Sequence, residues 1–288
     1  MKITENQKNP EFSLIYVNFR SADLLAESLG SLRRNGVLGE DVEVILVNND
    51  REEEEKLRYV AAKFSCTSLS FQENRGFGWA VNQAAGKARG KYIGCINPDT
   101  EFLGGSLSPI AGLFEKYQKI GIIGAKIVGP DGAPEKWSAG KKLSLWQIIR
   151  NNTGFPSGRR LWMSQKNRSV GWVSGAALFI RKELFDRLSG FDERFFLYFE
   201  DVDLCYRAKQ EGFLVAFCPK ISFLHKGGMS HESKRSQKEL FYDSQRKYFE
   251  KHRPKWERLL LEGARKTLKS GYSGEPDGKS PIILPHTS

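Results

Sequence analysis

The chain has 288 residues, 40% hydrophobic and 12% aromatic, enough to bury a sizeable core and too apolar for a disordered polymer. It carries 45 Lys and Arg against 34 Asp and Glu, a formal charge of +11 that points to an anionic partner: nucleic acid, a phosphorylated small molecule or a membrane surface. No apolar run reaches the roughly 18–20 residues of a spanning helix, and the opening MKITENQKNPEF lacks the apolar stretch of a secretion signal, so a cytoplasmic protein is expected.

In chain order, residues 13–19 read as a buried strand, short, β-branched and aromatic. Residues 21–34 follow as an amphipathic helix, Val42–Asn48 as a second strand, 51–63 as an acidic helix and 67–71 as a third strand. Asn74 is positioned to cap a helix running to about Arg89, where Gly90 stops it. Tyr92–Ile96 is the next strand, ended by Asn97-Pro98-Asp99. This short-range alternation predicts an α/β fold with a parallel, helix-covered sheet.

The second half reads differently. Ile120–Val128 and residues 172–180 are predicted strands flanking a basic segment too long for an ordinary loop, hence functional or mobile. Residues 181–188 and 200–211 are predicted helices, 213–218 a strand, and 221–224 leads into His225. Residues 233–269 form a long basic helical region, and the Gly, Pro and Ser-rich 271–288 is expected to be disordered. Cys66, Cys95, Cys205 and Cys218 form no zinc-like spacing and are expected to be reduced.

The charge is segmented. Residues 136–168 hold eight cations, no acid, and Trp137, Trp146 and Trp162. Residues 233–270 hold twelve cations against five acids, which leaves the remainder slightly acidic. Cations beside tryptophan suit a membrane interface, a phosphorylated amphiphile or single-stranded nucleic acid; a solvated surface loop explains them equally.

Four short runs can carry chemistry. Asn97-Pro98-Asp99-Thr100 ends a strand at the edge where open α/β sheets bind ligands, and one carboxylate there suits a divalent ion shared with phosphates, though Asn-Pro-Asp is also an ordinary turn. Asn74-Arg75-Gly76-Phe77-Gly78 opens a helix and suits a phosphate, but lacks the dinucleotide fingerprint. Glu200, Asp201 and Asp203 crowd a helix start, either as plain first-turn acids or with Asp201 as a general base; Asp203 and Arg207 are expected to pair at the surface. His225 precedes two glycines that can open it to a pocket, a setting that His231, His252 and His286 lack.

Taken together, SLIYVNFRS, VILVNND, ENRGFGWAVNQAAGKARGKYIGCINPDT, VSGAALFIRKELFDRLSGFDERFFLYFEDVDLCYRAKQEG and FLHKGG follow one another from about residue 12 to 230. In this order they resemble the family 2 glycosyltransferases of the GT-A fold, particularly their bacterial rhamnosyltransferase-like branch. The resemblance implies a mainly parallel GT-A sheet over residues 1–232, with 136–168 as a basic acceptor-side insertion and 233–270 as a helical extension.

It also implies an inverting transfer of a sugar, L-rhamnose by preference, from a nucleoside-diphosphate donor to a hydroxyl during cell-surface polysaccharide synthesis. Val17, Asn18, Asn49 and Asp50 look like the nucleoside edge, with NND in place of the commoner Asp-x-Ser wording. Asn74, Arg75 and Gly76 look like ribose or diphosphate contacts. Asn97 stands where the family's Asp-x-Asp motif has its first aspartate, and Asp99 keeps the second. Asp99 and His225 match the positions that hold Mg²⁺ or Mn²⁺, and Asp201 matches the catalytic base, with Glu200 as the alternative. The implied donor is dTDP-L-rhamnose or a UDP-sugar, and the implied acceptor a glycan or polyprenyl-diphosphate-linked sugar. Trp137, Lys141, Lys142, Trp146, Arg159, Arg160 and Trp162 are candidates for the acceptor or for peripheral contact with the inner face of the plasma membrane. A nucleic-acid partner leaves the Asp99 and Asp201 segments without a role and is not expected.

Overall fold

In the computed structural model, residues 9–152, 158–227 and 234–270 are described, without the side chains of 151, 152, 159, 234, 235 and 264–270. The expected disordered tail, 271–288, lies outside them.

The first half alternates as the sequence predicts. Strand β1 (Phe12–Asn18) leads into α1 (Ala22–Arg34), β2 (Val42–Asn48), a 3-10 turn at Arg51–Glu53, α2 (Glu54–Phe64) and β3 (Thr67–Ser70). Helix α3 (Phe77–Ala85) precedes β4 (Tyr92–Ile96), β5 (Thr100–Phe102), α4 (Ser108–Lys116) and β6 (Ile120–Val128). The basic segment is not a loop. It holds β7 (Ala139–Gly140), α5 (Leu145–Asn152) and α6 (Arg159–Trp162), then β8 (Arg168–Val170). Next come β9 (Trp172–Val173), β10 (Ala177–Arg181), α7 (Lys182–Arg187), α8 (Glu200–Gln210) and β11 (Leu214–His225). Two helices close the described chain, α9 (Lys234–His252) and α10 (Lys255–Ser270), parted at Pro254, whose ring cannot continue a helix interior.

Among the described residues one nine-stranded sheet runs β3-β2-β1-β4-β10-β6-β11-β5, with β8 pairing on β11. Strands β3, β2, β1 and β4 are mutually parallel, as are β6 and β11, while β10 lies antiparallel between β4 and β6. Apolar side chains bury both faces. Helices α1, α2 and α4 cover one with Leu25, Leu29, Leu57, Phe64, Ile110 and Phe114. The other is covered by α3, α7 and α8 through Trp79, Val81, Phe185, Leu204 and Cys205. A third cluster joins Leu145, Phe195, Phe199 and Val202 to Phe241, Tyr248, Phe249 and Leu261, so α9 and α10 are packed onto the body. All four cysteines are free, and Cys95, Cys205 and Cys218 are buried.

Three local expectations change. Asn74 does not cap α3. Its Oδ1 accepts from the Gly76 amide at 3.0 Å, and Gly76, at φ +94°, is the cap residue. A Cβ there would lie 2.5 Å from the Phe196 carbonyl oxygen, so only glycine fits both the angle and the approach. The predicted strand 172–180 is two strands in two sheets, because β9 pairs with β7 and the chain turns at residues 174–176 before joining β4. Strand β11 absorbs both extended runs before His225 in one strand, with a register shift between Cys218 and Ser222 that accommodates Pro219.

Candidate active site

The carboxyl ends of β1 and β2 are tied down by amide side chains. Asn18 is fully buried: its Nδ2 donates to Asn48 Oδ1 (3.0 Å) and Glu53 Oε2 (3.2 Å), and its Oδ1 accepts from the Ser21 amide and hydroxyl. Asn18 thus closes the turn into α1, and Val17 belongs to the core; neither presents a side chain to solvent. Asn49 donates to Asn74 Oδ1 at 2.8 Å and to the Gly76 carbonyl at 3.3 Å, joining β2 to the α3 turn. Asp50 accepts from the Glu52 amide and from Arg20 Nε, both at 3.0 Å. The exposed Arg75 stacks on the Trp79 ring, 4.4 Å from its centroid. Asn48 Nδ2 and Asn49 Oδ1 are buried without a partner. An unpaired buried amide atom costs about 1–3 kcal/mol, so two of them at one strand edge mark a place where a ligand would supply partners.

A second group gathers below β4. The Asn97 amide donates to the Ala176 carbonyl (3.0 Å) and its carbonyl accepts from Thr100 Oγ1, which fixes the turn that displays Asp99. Asp99 Oδ2 lies 3.3 Å from His225 Nε2, while Glu135 Oε2 meets His225 Nδ1 at 2.8 Å. Burial alone would lower the imidazole pKa, but its bonds to Asp99 and Glu135 outweigh burial and push it up to about 10. Glu135, in the turn after β6, carries no sequence signal: no motif or spacing marks it. Among the described residues no group of three or more His, Cys, Asp or Glu is arranged as a metal cluster. The pair still fits a divalent ion in its donor chemistry, since a carboxylate on Nδ1 turns Nε2 toward Asp99, the other candidate ligand.

The third group heads α8. Tyr198 and Phe199 both adopt left-handed angles, φ +69° and +66°, a strained turn that sets Glu200 and Asp201 at the helix start. Asp201 Oδ2 accepts from the Gly175 amide at 2.8 Å and Oδ1 from the Val202 amide at 2.7 Å. Burial raises the Asp201 pKa, and these amides hold it back. Glu200 is buried with Oε2 unpartnered, and burial, then the Asp201 charge, raises it well above the usual carboxylate range. Of the two, the amides favour the charged form of Asp201, while nothing comparable offsets burial at Glu200. Residues 174–176 link the groups: Ala176 receives Asn97, and Gly175 donates to Asp201.

Asp203 departs from the expected surface pair. It is fully buried and bonds Arg207 Nε at 2.7 Å, Lys251 Nζ at 2.6 Å and His252 Nε2 at 2.6 Å. Lys251 also reaches Asp192 at 2.6 Å, and Ser244 Oγ donates to the Leu197 carbonyl. The Phe199 ring packs against Phe241 and Tyr248. Helix α9 thus clamps the strained turn, and His252, expected to lack a notable setting, is part of the clamp.

The basic insertion splits. Trp162 is buried, its Nε1 donating to the Ala139 carbonyl at 2.7 Å, with Trp137 leaning on it at 5.7 Å; the expectation that Trp162 meets an acceptor or membrane is corrected to a core role. Lys141, Lys142, Trp146 and Arg160 are exposed, and the Arg159 side chain lies outside the described ones.

The profile of Glycosyl transferase family 2 matches residues 13–188. An N-acetylglucosaminyl-diphospho-decaprenol L-rhamnosyltransferase of Mycobacterium tuberculosis is 30% identical over 171 residues, 53% of this chain and 56% of that protein, so the chain spans little more than half of that relative's length. A low-salt glycan biosynthesis hexosyltransferase of Haloferax volcanii is 22% identical over 83% of this chain and 74% of its own. In fold, the chain is similar to a mannosyltransferase of Pyrobaculum calidifontis solved with GDP-Man and Mn²⁺, at a TM-score of 0.56 and 15% identity over 93% of this chain and 77% of that one. The mixed, mostly parallel, helix-flanked sheet is the GT-A fold of such neighbours.

Proposed function

This chain belongs to glycosyl transferase family 2, and on that premise we propose an inverting transfer of a sugar, L-rhamnose by preference, from a nucleoside-diphosphate donor to a hydroxyl of a lipid-linked glycan. The observation that carries it is the 174–176 segment, which ties the Asp99–His225 pair at one end and the Asp201 carboxylate at the other. On this reading the leaving-group and acceptor chemistry lie on either side of that segment.

In this reading the nucleoside lies along the Asn49–Asp50 edge, where the orphaned amide atoms find partners, and the diphosphate passes toward Asn74–Gly76. Asp99 and His225 would hold Mg²⁺ or Mn²⁺, which neutralises charge on the departing diphosphate. Glu135 orients the imidazole. Asp201 takes the proton of the acceptor hydroxyl as its oxygen bonds the anomeric carbon and the carbon–diphosphate bond breaks. One displacement inverts that carbon, and no enzyme nucleophile is required.

The donor class is tested by thermal shift with UDP, dTDP and GDP, alone and with Mn²⁺. A nucleotide at 100 times its Kd stabilises the folded chain by about 2.7 kcal/mol, so the correct base stands out. dTDP is expected to give the largest shift; no shift with any nucleoside diphosphate would overturn the reading. Glu135→Gln is expected to weaken Mn²⁺ binding about 10–100-fold, as loss of a second-layer carboxylate does, with nucleotide binding in the absence of metal unchanged. Titration calorimetry reads both.

A further inference from the structure

The start of α5 meets the first turn of α10. The Leu145 amide donates to Glu257 Oε2 at 3.0 Å, and Leu145 and Leu261 share the third core cluster. Each helix turns one apolar stripe inward and a second outward. On α5, Leu145 is buried while Trp146 and Ile149 face solvent; on α10, Leu261 is buried while Trp256, Leu259 and Leu260 face solvent. These five outward side chains are between 45% and 69% exposed, on two helices that meet through Leu145 and Glu257.

The charges around this face have one dominant sign. Lys141, Lys142 and Arg150 before and on α5 are exposed, as is Lys255 on α10, and the stretch 136–168 contains no acid at all. The acids of α10 are already engaged: Glu257 is buried and bonded to Arg253, and Glu262 pairs with Arg258. Two tryptophans, three aliphatic side chains and a cationic margin are the composition of helices that lie in a headgroup layer. The opposite, inward stripe carries Val202's neighbours in the third cluster, so the face backs onto α8, which begins with Glu200 and carries Asp201.

We propose that the outward faces of α5 and α10 form the surface by which this protein docks on an anionic lipid bilayer. Trp146, Ile149, Trp256, Leu259 and Leu260 enter the headgroup layer, and the cations meet lipid phosphates. This rests on the reading above that the acceptor is lipid-linked. The surface then uses Trp146 and Ile149 of α5 with residues of α10 in place of Trp137 and Trp162, and it brings the acceptor to the α8 side of the 174–176 segment.

The test is co-sedimentation of the full chain with vesicles of phosphatidylcholine alone or with 30 mol% phosphatidylglycerol, without donor or acceptor. The expected result is binding that requires the anionic lipid and weakens with salt. Leu259→Ser/Leu260→Ser and Trp146→Ser are each expected to lower binding tenfold or more, with unchanged melting temperature and nucleotide binding, since these side chains leave the core intact. Equal binding to both vesicle types, or by the variants, would overturn the surface. So would a dimer, seen by sedimentation velocity, that the same substitutions dissociate. Transfer to a lipid-linked acceptor that persists without vesicle binding discards the docking surface alone; docking without any transfer discards the acceptor reading instead.

Discussion

Asp201→Asn is expected to lower sugar transfer by about 10²–10⁴-fold, the usual contribution of a positioned general base. Nucleoside-diphosphate affinity is expected to stay at the wild-type value, because Asp201 lies across the 174–176 segment from Asp99. The substitution keeps the side-chain shape, although its NH₂ must face one of the two amides that the carboxylate accepts from. Glu200→Gln makes the complementary case. Burial and the Asp201 charge favour the neutral form of Glu200, so an amide of the same shape is expected to leave activity largely intact. The raised Asp201 pKa places the acid limb of kcat/KM above the ordinary aspartate value, and Asp201→Asn removes that limb. Initial rates of the two variants across pH, with donor binding by calorimetry, decide the assignment. An active Asp201→Asn beside an inactive Glu200→Gln would move the base to Glu200.

Asp203→Ala is expected to destabilise the fold by about 3–5 kcal/mol, since it leaves Arg207, Lys251 and His252 around an uncompensated buried site. At roughly 2–4 °C per kcal/mol for a chain of this size, the melting temperature falls by about 10 °C. The same cluster sets acid sensitivity. Burial raises the Asp203 pKa, but bonds from His252, Arg207 and Lys251 win and hold it below its ordinary value; Asp192, held by Arg194 and Lys251, is lowered too. Groups depressed in the folded state stabilise it fully above their unfolded pKa, near 4, and lose that contribution as pH falls through the folded values. Melting temperature should therefore drop steeply below about pH 4 in the wild type and less steeply in Asp203→Ala. Equal slopes would show that the clamp carries little stability.

Much of this architecture is legible from local signals. Val42–Asn48, Tyr92–Ile96 and Ile120–Val128 have the predicted bounds because short β-branched runs between turn residues permit few alternatives. The motif order also places Asp99, Asp201 and His225 on sheet and helix ends. What escapes is non-local. The division of residues 172–180 between two sheets depends on β7, more than thirty residues upstream in the chain. Glu135 acquires its role only because β6 and β11 lie parallel, which brings the turn after one beside the end of the other. Asp203 satisfies an i,i+4 pattern with Arg207 that suggests a surface pair, and nothing in that pattern reveals Lys251 and His252 closing over it. Trp162 and Trp146 are indistinguishable by composition, yet one is in the core and the other in solvent.

The clamp by α9 also has a consequence for the order of events during synthesis. Strands and helices up to His225 can assemble as they leave the ribosome, N-terminal parts first. The left-handed pair Tyr198–Phe199 then lacks its α9 contacts until Phe241, Ser244, Tyr248, Lys251 and His252 have emerged. A nascent chain of some 230 residues would thus have the β1 and β2 edge in place while the turn before Asp201 lacked its clamp. The turn that presents Asp201 is completed last, by a helix that emerges only after the whole sheet has been made.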